Sequence, residues 1–94
     1  MVKGVKFRQR EVPARREVPA RKELERLGPP LRTRVLRHIE ALGSNVRPGG
    51  CQKLQGAQDL WRIRIGDYRV IYAIDDSRRL VDITAIRHRS DAYR

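Results

Sequence analysis

The chain has 94 residues and a formal net charge of +11, with 22 Lys and Arg against 11 Asp and Glu. This length fits one small domain, residues 1–94, and so strong a positive charge favours a polyanionic partner, nucleic acid first and an acidic protein second. The single cysteine excludes an internal disulfide, no apolar run reaches the roughly 18 residues of a membrane span, and the charged N-terminus predicts no signal peptide, so we expect a cytoplasmic protein.

The N-terminal segment predicts a strand followed by a duplication. Residues 2–12 alternate weakly between apolar and charged side chains, which favours a first strand. Residues 10–15 and 16–21 are identical hexapeptides, each with the sequence REVPAR. A single tandem copy is too short for a repeat architecture, so we interpret it as a local duplication.

Two helices are predicted next. The first begins at Pro19 and ends at Gly28, and the second begins at Pro29 and ends at Gly43, because Pro suits a first helical turn and Gly a helix end. Both carry an apolar stripe at helical spacing, which is Ala20, Leu24 and Leu27 in the first, then Leu31, Val35, Ile39 and Leu42 in the second. The two helices therefore form an α-hairpin. We interpret His38, off the stripe, as a surface residue.

The C-terminal half changes to a period of two after a Gly- and Pro-rich segment at 43–56. Strands are predicted at 60–65, 68–74 and 80–86, with a two-residue turn at Gly66 and Asp67 and a longer turn at 75–79. The fold class is α+β, with the N-terminal strand and the α-hairpin packed on one face of a small antiparallel sheet. Ser90 could cap a short final helical turn.

The two-residue turn assigns side chains to the faces of the sheet. It places Ile65 opposite Tyr68 and Arg64 opposite Arg69, and opposed residues share a face. One face is then apolar, and consists of Trp61, Ile63, Ile65, Tyr68, Val70 and Tyr72. The other face carries Arg62, Arg64 and Arg69 and no carboxylate. Like charges in opposition are unfavourable unless an anion bridges them, so an open phosphate-binding face is predicted, with a plain solvated face as the alternative.

Four segments resemble the RelE/ParE toxin superfamily: 53–56, 60–64, 66–76 and 88–94, with the sequences KLQG, LWRIR, GDYRVIYAIDD and HRSDAYR. The last segment resembles the RelE branch, and the resemblance covers about residues 20–94. It implies a strand, an α-hairpin, a sheet and a short C-terminal helix. It also implies a type II toxin that cleaves messenger RNA in the ribosomal A site, contacts ribosomal RNA, and is inhibited by a RelB-like antitoxin in a hetero-oligomer.

The resemblance also implies roles for individual residues. Catalytic positions fall on Arg62, Arg64, Arg69, Arg89 and Tyr93. His88 is an alternative proton donor, because some relatives use His near this point. Lys53, Arg87 and Arg94 are further basic residues that we predict to bind RNA. Relatives often carry Lys where this chain has Arg62 or Arg64, and Arg is a poorer proton carrier since it stays charged at any working pH.

The implied reaction is attack of a ribose 2′-hydroxyl on the adjacent phosphate, which gives a cyclic phosphate and a free 5′-hydroxyl without metal or cofactor. The two histidines lie on different elements with no matching carboxylate motif, and no glycine-rich nucleotide motif is present. The residues themselves therefore predict neither a metal site nor a nucleotide cofactor. Two alternatives stay open. One is a ParE-like inhibitor of DNA gyrase, and the other is a catalytically decayed module that still binds antitoxin.

Overall fold

The computed structural model describes residues 4–7, 20–56 and 60–90. In chain order its elements are β1 Gly4–Phe7, α1 Ala20–Glu25, α2 Pro29–Ala41, β2 Gln52–Lys53, β3 Leu60–Ile65, β4 Tyr68–Asp75 and β5 Leu80–His88. Both predicted helices and all three strands of the C-terminal half are confirmed. The predicted C-terminal turn beyond Ser90 lies outside the described residues, as does the duplication except for Ala20 and Arg21. No helix in the described ranges is long and apolar enough to cross a membrane.

The sheet has five strands in the order β1-β5-β4-β3-β2. Strands β3 to β5 pair antiparallel, as predicted. Strand β2, which lies in the predicted loop segment, also pairs antiparallel with β3, whereas β1 pairs in parallel with β5 through contacts such as Val5 opposite Val81. The sheet is therefore mixed. A parallel pair requires a long crossover connection, and both helices and the other strands provide it here.

The β3–β4 hairpin has the predicted two-residue turn. Gly66 has a φ of 60°, and a positive φ at the first turn residue matches the right-handed twist of a hairpin. The register is the predicted one, with Ile65 opposite Tyr68 and Arg64 opposite Arg69. The assignment of side chains to the two faces follows from this register.

The core lies between the helices and the apolar face of the sheet. Gly28 is extended and precedes two prolines in the first turn of α2, where their missing N–H groups cost nothing. The buried residues of α2 and the loop after it pack against those of β3 and β4, and this cluster includes Val35, Ile39, Leu42, Ile63, Ile65, Val70 and Tyr72. The arginine face is consequently the side of the sheet that α2 leaves uncovered.

A bulge in the β4–β5 pairing shifts the register of the C-terminal end of β5 by one residue. Ile71 lies opposite Ala85 but Tyr72 lies opposite Ile83, so Thr84 is an extra residue. The bulge lets Ile83 and Ile86 both reach the core despite their odd spacing. It also places the following residue, Arg87, on the opposite face.

Candidate functional site

Three arginines form a row across three neighbouring strands. Arg64 of β3 lies opposite Arg69 of β4, and Arg69 lies opposite Arg87 of β5. Opposed Cα atoms in antiparallel strands are about 5 Å apart, so the three side chains leave the sheet close together. Arg62 precedes Arg64 by two residues in β3 and lies on the same face. We call Arg64, Arg69 and Arg87 the arginine row.

Arg69 is buried, with 3% of its surface exposed, whereas Arg64 is exposed. The prediction of an open face is therefore wrong for Arg69. The physical reason is its position on the central strand, which has neighbours on both sides, whereas within the described ranges no strand pairs with the outer edge of β3 at Arg64. A guanidinium fixed in this way presents its charge without reorganisation when an anion arrives.

Glu23 of α1 reaches the arginine row through Arg87. One carboxylate oxygen, Oε2, pairs with Nη1 of Arg87, and the other, Oε1, accepts the backbone N–H of Ile86 at 2.8 Å. The Glu23 side chain is 13% exposed. Among the described residues, the pairing of β1 with β5 ends at Ile83, and Glu23 bonds to the edge of β5 further on, at Ile86. Sequence reasoning missed Glu23, because nothing in a single sequence relates residues that are 64 positions apart.

Arg62 is held by a neighbouring side chain at the other edge of the sheet. Gln52 Oε1 accepts hydrogen bonds from Nε and Nη2 of Arg62, at 3.2 and 2.5 Å. Gln52 also lies opposite Arg62 in the β2–β3 pairing, so the two share a face. Lys53 pairs with Trp61 and therefore belongs to the opposite face. The structure brings Arg62 but not Lys53 to the side of the arginine row.

Of the predicted C-terminal site residues, Arg89 and His88 are described, and they have different surroundings. Arg89 lies at the β3–β4 turn, where its backbone N–H donates to Asp67 O at 2.7 Å and its Nε is 3.9 Å from Asp67 Oδ1. His88 lies opposite Tyr68, on the face away from the arginine row, and its ring meets the Tyr68 ring edge to face at 5.2 Å. Its Nδ1 accepts the Ser90 N–H at 3.2 Å. Tyr93 and Arg94 lie outside the described residues.

Three contacts fix the loop between α2 and β2. The buried Tyr72 hydroxyl donates to Val46 O at 2.8 Å, and burial raises the pKa of Tyr72 well above its usual range. Arg47 stacks over the Trp61 ring at 4.9 Å from its centroid and pairs with Asp76 at 3.0 Å, which raises the pKa of Arg47. These contacts support the loop beside β3 from the core side.

Solved toxin structures share this fold. The archaeal RelE–RelB complex from Pyrococcus horikoshii OT3 matches with a TM-score of 0.72 at 26% identity, covering 97% of this chain and 98% of that chain. The RelBE2 complex of Mycobacterium tuberculosis matches with a TM-score of 0.65 at 28% identity, covering 74% of this chain and 88% of that chain. Isolated Escherichia coli RelE also matches with a TM-score of 0.65 at 26% identity, covering 79% of this chain and 82% of that chain. The fold therefore defines a RelE-like toxin.

The sequence gives the family. Residues 15–93 match the ParE toxin of type II toxin–antitoxin systems, parDE, and the chain belongs to this family. Toxin RelE of Mycobacterium tuberculosis (strain ATCC 25618 / H37Rv) is 51% identical over 37 residues, which is 39% of this chain and 38% of that protein. Together with the structures, this places the chain in the RelE branch of the RelE/ParE superfamily.

Proposed function

We propose that this toxin is an endoribonuclease that cleaves messenger RNA in the ribosomal A site. The observation that carries the proposal is the arginine row with Arg62 beside it. Guanidinium groups bind phosphate oxygens in a bidentate manner and keep their charge at any working pH. A cluster of them on one sheet face can hold a scissile phosphate and stabilise the charge that develops on it.

In the proposed reaction the ribose 2′-hydroxyl attacks the adjacent phosphorus. A new P–O2′ bond forms, the P–O5′ bond breaks, and the products are a cyclic phosphate and a free 5′-hydroxyl. The 2′-hydroxyl proton passes to a base, and the leaving oxygen gains a proton. Arg62, Arg64 and Arg69 stabilise the phosphoryl oxygens, and loss of one such donor typically costs about 10²–10³ in rate.

Tyr93 is proposed to orient or deprotonate the 2′-hydroxyl, and Arg89 to assist the leaving oxygen. Proton transfer by a positioned group contributes roughly 10²–10⁴ in rate. The position of His88 on the opposite face of the sheet favours Arg89 over His88 in this role. Lys53 and Arg94 are proposed RNA contacts outside the reacting centre. Arg87 contributes positive charge that Glu23 partly offsets.

A RelB-like antitoxin is the proposed protein partner, in a toxin–antitoxin hetero-oligomer in the cytoplasm. The similar structures from Pyrococcus horikoshii and Mycobacterium tuberculosis are both toxin–antitoxin complexes. A net charge of +11 suits an acidic partner as well as RNA. Ribosomal RNA is the further proposed partner, because its phosphates would hold a basic toxin at the A site.

Induced expression in a bacterial host, followed by primer extension on a translated message, tests the proposal. We expect cuts inside codons that disappear when translation initiation is blocked. Arg64→Ala should abolish the cuts, while Arg78→Ala, at an exposed site in the β4–β5 turn, should leave them. Loss of growth without cleaved message would contradict the proposal.

Inhibition of DNA gyrase is the second candidate function, favoured by the match of residues 15–93 to the ParE toxin family. A gyrase inhibitor should trigger DNA damage signalling while translation at first continues. A toxin that neither cleaves message nor triggers DNA damage signalling, but still binds antitoxin, would instead be a decayed binding module.

A further inference from the structure

A groove adjoins the arginine side of β3. It lies between the C-terminal end of α2, the loop that follows it and the edge of β3, and its volume is about 770 Å³. Sites for small organic ligands typically measure about 300–1,000 Å³. The walls are formed by His38, Ala41 and Leu42 of the α2 end, by Ser44, Asn45, Pro48, Gly49 and Gly50 of the loop, and by Gln52, Arg62, Ile63 and Arg64 of the strands.

The groove exists because β2 is short and the loop carries two glycines. Among the described residues, β2 pairs only with Trp61 and Arg62, so the β3 edge beyond Arg62 has no strand beside it. No atom lies within 4 Å of the position a Cβ would take on Gly49 or Gly50. Gly50 has a φ of 88°, which favours glycine there, whereas Gly49 has no such requirement. A side chain at position 49 would therefore begin in open space and on an unstrained backbone.

The groove offers hydrogen-bond donors over an apolar floor. Asn45 Oδ1 already accepts the Arg47 N–H at 3.2 Å, so the amide nitrogen of Asn45 is the group left to donate. His38 is exposed at one wall and Ser44 adds a hydroxyl. No carboxylate lines the groove in the described part of the chain. Its chemistry therefore suits a ligand with acceptor atoms and no positive charge.

The groove is continuous with the arginine face, because Arg62 and Arg64 belong to both. In single-stranded RNA the bases splay away from the backbone, and proteins bind them in pockets by their polar edges. We propose that the groove binds a nucleobase of the RNA whose phosphate lies on Arg62 and Arg64. This inference rests on the proposed function and assigns the position at which the toxin discriminates between RNA sequences.

Two variants test the groove, and one provides a matched control. Gly49→Val narrows it without a clash at the Cβ position or a strained φ. Asn45→Asp keeps the acceptor for the Arg47 N–H but replaces the donor with an anionic oxygen. Gly28→Val is the control, because Gly28 also has open space around its Cβ position, has an extended backbone and does not line the groove.

The probes are two short single strands of 2′-O-methyl RNA, one complete and one with abasic positions, compared by fluorescence anisotropy at low salt. Blocking the 2′-hydroxyl prevents cleavage, so binding is measured by itself. We expect the wild type and Gly28→Val to bind the complete probe about tenfold more tightly than the abasic one, the loss expected for hydrogen bonds to a single base. Gly49→Val and Asn45→Asp should bring the two dissociation constants within about twofold.

Equal binding of both probes by the wild type would overturn the inference, as would a full base preference in both groove variants. Binding of an acidic antitoxin peptide that is lost in Gly49→Val, with base preference unchanged, would assign the groove to the antitoxin instead. The proposed nuclease activity is tested separately by primer extension. Cleavage without base preference rejects only the groove site, and base preference without cleavage rejects only the nuclease.

Discussion

Glu23 and Arg87 connect α1 to the arginine row. The Glu23 carboxylate pairs with the Arg87 guanidinium through one oxygen and accepts the Ile86 N–H through the other. The Glu23 carboxylate thus satisfies a backbone N–H at the edge of β5 and neutralises one charge in a row of three. Because like charges opposed across strands repel, this carboxylate lowers the cost of assembling the row.

Substitution of Glu23 separates these two effects. Glu23→Ala leaves the N–H of the buried Ile86 without an acceptor, and we expect a loss of about 2 kcal/mol in the free energy of unfolding. Glu23→Gln keeps an acceptor oxygen, so its loss should be smaller. Urea denaturation measures both. Equal stability of the wild type and the Ala variant would show that the carboxylate does not satisfy this N–H in solution.

Arg69 and Tyr93 are expected to be required for activity. Arg69→Ala should reduce cleavage about 10²–10³-fold because a preorganised donor to the phosphoryl oxygens is lost. Tyr93→Phe should reduce it through loss of the hydroxyl. Growth after induction and primer extension provide the measurement, and pulldown of the cognate antitoxin with circular dichroism checks the fold. Full toxicity in both variants would contradict the site assignment.

Tyr72 should make stability sensitive to alkaline pH. Burial raises the pKa of its hydroxyl in the folded state, so the folded chain keeps a proton that the unfolded chain releases near pH 10, about the usual tyrosine value. The stabilisation is therefore complete below about pH 10 and decreases as the pH rises further.

Tyr72→Phe tests this dependence. It leaves Val46 O without its donor and should cost about 1 kcal/mol at neutral pH. The difference between the variant and the wild type should shrink above about pH 10, because Phe has no proton to release. Chemical denaturation at a series of pH values measures it, and a difference that stays constant to pH 11 would exclude the proposed cause.

Gly66 should control the register of the arginines. Its φ of 60° is unfavourable for a residue with a Cβ, and Gly66→Ala should cost about 1–2 kcal/mol. Steric contact is not the reason, since the nearest atom is Arg34 Nη1 at 3.6 Å, at the end of a flexible side chain. Gly49→Ala is the control, with an expected change within about 0.5 kcal/mol. Thermal unfolding compares them, and similar melting temperatures would contradict this account.

The sequence by itself determined the two helices, the three strands of the C-terminal half and the face that carries three of the candidate arginines. Apolar spacing determined the helices, alternation determined the strands, and Gly66 with Asp67 determined the turn. Turn length and strand period together place Arg62, Arg64 and Arg69 on one face, because a two-residue hairpin has a single register. These features are local, so the residues that encode each of them are adjacent in the chain.

Only the tertiary structure decided the rest of the site. The bulge at Thr84 brings Arg87 opposite Arg69, and α1 brings Glu23 to Arg87. The burial of Arg69 follows from its central strand, and the groove follows from where β2 ends beside β3. Each of these features joins residues distant in the chain. Their positions depend on how the elements pack together, and no pattern of neighbouring residues encodes that packing.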